Sequence, residues 1–210
     1  MKKRFFVVAC VFTLFLGFVY SEEGQRNVLI SKGIEYHNLL RKENSKEQEM
    51  TTNIEKCLSI LEPFVSSDAV ACAYYGSALT IKAGMISEKN PIKSLSYLED
   101  GSKYLDKAVL MKSDDIELRI IRLENGIEVS RTSPVKRYGV ILDDVNFLLE
   151  KNMNLLSADI QAEAYLYCGF YYQDSGDLET ALELFERASE ADSDCSAGKK
   201  ALKMLEKYSE

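Results

Sequence analysis

The chain has 210 residues, with 26 basic against 33 acidic side chains, a formal net charge of −7 and one histidine. Such an acidic surface repels phosphate backbones, and no basic stripe interleaved with aromatics occurs, so nucleic-acid binding is disfavoured. A content of 46 % apolar residues suffices for one sizeable core, and a single His37 leaves little room for imidazole chemistry.

The chain opens with Met1-Lys2-Lys3-Arg4, an apolar run over residues 5–20, then Ser21 and Glu22-Glu23. Positive, apolar, small and acidic in that order is an export signal, with cleavage expected after Ser21. The run of 16 residues is short for a spanning helix, which needs about 20. The alternative is retention as an inner-membrane anchor, which would be the chain's contact with a membrane. Loss of residues 1–21 removes three cations and no acid, taking the net charge to about −10. Residues 22–210 then form one domain.

From residue 26 onward the apolar residues recur at three- and four-residue steps, and hairpin signals are absent. The spacing predicts an all-α fold with helices near 26–43, 46–65, 68–86, 91–111, 114–131, 132–152, 159–174 and 178–192. The second, fourth and sixth carry stripes such as Ile54, Leu58 and Leu61, then Leu98, Leu105 and Val109, then Ile141, Val145 and Leu148. Pro91 and Pro134 stand where helix starts tolerate proline. Asp177 is a suitable N-cap for the eighth helix. A closing helix over 196–208 presents Ala201, Leu202, Leu205 and Tyr208 on one side and four lysines on the other. Gly33, Gly76, Gly126 and Gly169 lie inside the odd-numbered helices, 43, 50 and 43 residues apart.

The most specific pattern lies in residues 162–195: Tyr165, Cys168-Gly169, Tyr172, Gly176, Leu178, Ala181, Phe185 and Ala188. It resembles the tetratricopeptide (TPR) repeat, W-x2-L-G-x2-Y followed by A-x3-F. Tyr165 replaces Trp, Cys168 replaces Leu, and Ser193 stands in place of the final proline. The spacing of 43–50 exceeds the family's usual period of about 34, which calls for longer helices or inserted turns. The resemblance implies an α-solenoid of about four helix pairs plus a C-terminal capping helix. Small residues would let paired backbones approach.

In TPR stacks the first helices of the pairs line a concave groove that receives a peptide or a partner helix. Matching the Gly169 unit gives Leu166, Phe170, Gln173 and Asp174 as groove residues. Extending the match to the other glycines adds Ile30, Ile34, His37 and Asn38, then Ala73, Ser77 and Thr80, then Leu123, Ile127 and Arg131. This lining is largely apolar and suits an amphipathic helix or an extended apolar segment. The opposing expectation is that these residues pack within the protein itself.

No catalytic constellation accompanies His37, and no GxSxG, HExxH, CxxC or glycine-rich phosphate loop occurs. No cofactor or metal is therefore expected. The carboxylates of Asp114-Asp115 and Asp192-Ser193-Asp194 suit caps and solvation at turns, beside a further pair at Asp143-Asp144. Cys57, Cys72 and Cys168 lie on apolar helical faces, with Cys195 beyond a helix end. Pairing of Cys57 with Cys72, or of Cys168 with Cys195, stays open. The expected function is an exported scaffold or adaptor mediating protein–protein interaction in the bacterial cell envelope, without catalysis. Alternatives are a carrier of an apolar small ligand within the helical stack, or an accessory subunit of a periplasmic transport system.

Overall fold

The computed structural model describes residues 22–40 and 46–209. The expected leader therefore lies outside the described residues. Helix α1 spans 22–40. It is followed by α2 (Glu47–Leu61), α3 (Ala69–Ile86), α4 (Pro91–Met111), α5 (Ile116–Thr132), α6 (Tyr138–Leu149), α7 (Ala158–Ser175), α8 (Leu178–Ala191) and α9 (Ser196–Ser209). Short 3-10 turns follow α2 at Glu62–Phe64 and α6 at Met153–Leu155. No strand occurs among the described residues.

Local chemistry sets most of the boundaries. Asp68, Asn90, Asp115 and Asp177 each accept a hydrogen bond from the backbone N–H three residues on, capping α3, α4, α5 and α8. Pro91 opens α4 at a position that needs no N–H donor. Gly176 closes α7 in the left-handed region at φ 88°. The sixth helix departs from expectation. Pro134 does not start it, because Ser133 before the proline is extended (φ −136°, ψ 167°). Residues 133–137 form a loop, pinned where Ser133 Oγ accepts from Val135 N and Ser130 Oγ accepts from Arg137 N.

Neighbouring helices pack in sequence. Helix α3 lies along α4, α5 along α6, α7 along α8, and α8 against α9, while α3 also meets α5, α5 meets α7 and α7 meets α9. The glycines that the sequence singles out each abut the helix that follows their own. Gly33 abuts Leu61 of α2, Gly76 the backbone of α4, Gly126 the Ile141 side chain of α6, and Gly169 the Phe185 ring of α8. A β carbon on Gly169 would lie 2.6 Å from Phe185 Cε1, so the ring occupies the space the glycine leaves.

The largest apolar cluster joins α5 to α9 around Phe170 and Phe185, whose centroids are 5.4 Å apart. A second joins α1, α2 and α3 around Cys57 and Leu61, and Leu105 with Leu118 belongs to a third. Among the described residues α3 is long and apolar enough to cross a membrane, but 56 % of it is buried inside the protein, as in a core helix.

Candidate functional site

Helices α1, α3, α4 and α5 enclose a cleft of about 640 Å³. At one end His37, 3 % exposed, places Nε2 2.9 Å from Ser77 Oγ and sets its ring edge-on to Tyr74. From there a relay of hydrogen bonds crosses to α5. Thr80 Oγ1 donates to the Ser77 carbonyl at 2.8 Å, and Asn125 Nδ2 donates to Thr80 Oγ1. Asn125 sits one residue before Gly126, deep in α5, where Asn has no helix-forming advantage. Ile121, Glu128 and Val129, one turn away, share its helical face and also line the cleft, as does Glu124 beside it. Leu98 of α4 completes an apolar wall, and Glu124 also accepts from the Tyr167 hydroxyl of α7. Glu124 and Glu128 contribute carboxylates to the cleft lining.

A second cleft of about 550 Å³ lies among α5, α6 and α7, bordered by Arg131, Tyr138, Leu142, Tyr171 and Asp174. Arg131 spans α5 and α7 as a bidentate fork, with Nε to Asp174 Oδ2 and Nη2 to Oδ1 both at 2.7 Å. It also donates to Gln173 Oε1 at 3.2 Å and lies 4.6 Å from the Phe170 ring centroid.

The structure thus brings the sequence-selected groove residues together in two sets. His37, Ser77 and Thr80 join through hydrogen bonds or a shared cleft, and Arg131, Phe170, Gln173 and Asp174 meet around one guanidinium. Asn38 is exposed, Ile34 half-buried, and Ile30 and Ala73 buried. Leu123, Ile127, Leu166 and Phe170 are at most 2 % exposed. They fill the space between helices, so a partner would reach them only by displacing one. Of the selected residues, the exposed ones are the polar Asn38, Arg131 and Asp174. The periodicity of the apolar residues marks burial equally well whether the cover is a partner or a neighbouring helix, so sequence could not separate the two.

Three polar features escape the sequence reading. Asn125, Glu124 and Glu128 line the first cleft. Asp144, completely buried, accepts from Arg122 Nε at 2.8 Å and Nη2 at 2.6 Å and from Arg119 Nη1 at 3.0 Å. Arg137 binds Asp106 of α4 through both terminal nitrogens, at 2.9 and 2.7 Å. This Arg–Asp network ties α4, α5 and α6 together. Its only advance signal is a cluster of charges on otherwise apolar helices.

Cys57, Cys72, Cys168 and Cys195 are free thiols. No group of three or more His, Cys, Asp or Glu side chains suited to a metal occurs among the described residues. Comparison with family models, with curated proteins and with solved structures returns no match.

Proposed function

We propose that the chain is an exported TPR-like scaffold: four helix pairs and a capping helix that hold another envelope protein or peptide, without catalysis. One observation carries the reading. Each of the four glycines at 43- to 50-residue spacing meets the helix that follows its own, as expected if one pairing rule is reused along the chain. The contacts of α3 with α5, α5 with α7 and α7 with α9 support a side built from the first helices of successive pairs. Export rests on the leader alone. The partner would meet the exposed polar side chains along this side, such as Asn38, Glu128 and Arg131, rather than the buried leucines.

Photo-crosslinking in the native cell tests this reading. A crosslinker at position 128 is expected to capture one or a few defined polypeptides, while one at exposed position 186 on α8 captures none of them. Equal capture at both positions, or copurification of a lipid or other hydrophobe in place of a polypeptide, would remove the scaffold assignment. Mass spectrometry of the mature amino terminus tests cleavage after Ser21.

A further inference from the structure

We propose that α8 and α9 form a docking surface for a second copy of this chain, the acidic face of α8 in one copy lying against the basic face of α9 in the other. The pairing goes beyond the scaffold reading and does not depend on it.

Charge is sorted by sign between these two neighbouring helices. Glu179, Glu183, Glu186 and Glu190 recur at steps of four, three and four, forming one stripe about 16 Å long on α8. Lys199, Lys203 and Lys207 recur at steps of four along α9, with Lys200 beside them, over about 12 Å. All eight residues are exposed, and none of them enters an ion pair among the described residues. The sole basic side chain of α8, Arg187, lies 5.3 Å from the ring centroid of Tyr165 on α7. Glu206 is the sole acidic side chain of α9.

Solvation alone does not account for this sorting. Like charges one turn apart repel, whereas Glu and Lys alternating along each helix would solvate it equally and add ion pairs. Two of the charges also oppose their own helix dipole, because Glu190 stands in the last turn of α8 and Lys199 in the first turn of α9. Both costs are offset when the stripes face each other across copies, Glu against Lys. A purely acidic partner, such as an anionic membrane, would leave the α8 stripe unmatched. Because one chain carries both stripes, a two-fold axis makes the contact twice and closes the assembly at a dimer. Leu178, 40 % exposed beside Glu179, and Leu202, 39 % exposed beside Lys203, add apolar area to the same contact.

Sedimentation equilibrium of the mature chain tests the pairing. A dimer is expected at about 100 μM chain in about 20 mM salt, giving way to monomer at about 0.5 M salt as the facing charges are screened. Lys199→Glu, Lys203→Glu and Lys207→Glu combined should give a monomer with unchanged helical circular dichroism. Glu179→Lys, Glu183→Lys and Glu186→Lys combined should do the same. Mixed in equal amounts, the two triple variants should pair with each other, since each stripe again meets its opposite. A monomeric unsubstituted chain at up to about 0.5 mM would overturn the proposal, as would a dimer unaffected by either variant or a mixture that stays monomeric. Binding of anionic lipid vesicles by a monomeric chain, lost in the lysine variant alone, would also overturn it and assign α9 to a membrane surface. A photo-crosslinker at position 186 would join the chain to itself, so the polypeptides captured at position 128 decide the scaffold reading separately.

Discussion

Gly76 of α3 and Gly101 of α4 stand back to back. A β carbon built on Gly76 would lie 2.7 Å from the Gly101 carbonyl oxygen, and one on Gly101 would lie 2.6 Å from that of Gly76. Backbone cannot swing aside as a side chain can, so this pair fixes how closely α3 and α4 approach. Either Gly76→Ala or Gly101→Ala should lower stability by about 1–3 kcal/mol through overpacking. Gly84→Ala in the same helix has no atom within 4 Å of the added carbon and should instead raise stability by up to about 1 kcal/mol through helix propensity. Urea unfolding checks both signs. An equal effect at positions 76 and 84 would mean the α3–α4 contact is misplaced.

Phe185 is fully buried against Gly169 and Phe170. Phe185→Ala should cost about 3–5 kcal/mol. Phe170→Asp would place a charge at a position 2 % exposed and should unfold the α7–α8 region rather than report on a groove. Loss of cooperative thermal unfolding would register it.

The Asp144 carboxylate is enclosed by Arg122 and Arg119. Asp144→Ala leaves Arg122 buried without its main partner, and about 3–5 kcal/mol of destabilisation is expected. Replacing Arg122 and Asp144 together by Met and Leu should recover much of that loss, because no buried charge then lacks its counterpart. Comparing single and double variants by denaturant melts measures the coupling.

Burial pushes the Cys57 and Cys168 thiols up to about 12. An unfolded thiol ionises near 9, so between pH 9 and about 12 the folded chain retains protons that the unfolded chain has released. The stabilisation is fully present below pH 9 and is lost as pH rises through that window, by up to about 1.4 kcal/mol per pH unit for each thiol. Cys168→Ala should flatten the alkaline decline in stability relative to the unsubstituted chain. Alkylation of native protein near neutral pH should reach Cys195, which is half-exposed, well before Cys57 or Cys168, which are completely buried.

The helices were legible because apolar spacing and caps act over a few residues. Asp177 and Gly176 alone mark the α7–α8 turn. The third pair was legible in outline only. Pro134 suggests a helix start, yet the extended Ser133 it enforces puts a loop there and moves the start to Tyr138. The candidate site was half legible. His37, Ser77 and Arg131 emerge from counting along from the glycines, whereas Asn125 depends on Thr80, which lies 45 residues earlier.

The sequence by itself determined an all-α chain, the near placement of its helices, and which glycines lie at crossings. Each of these follows from residues within one or two turns of one another. Only the tertiary structure decided that Leu123, Ile127, Leu166 and Phe170 are covered by neighbouring helices, that Asp144 is an interior charge, and that a cleft opens beside Asn125. Those outcomes depend on which face of one helix meets another, a relation that carries no local sequence mark because packing energy sums over contacts distant in the chain.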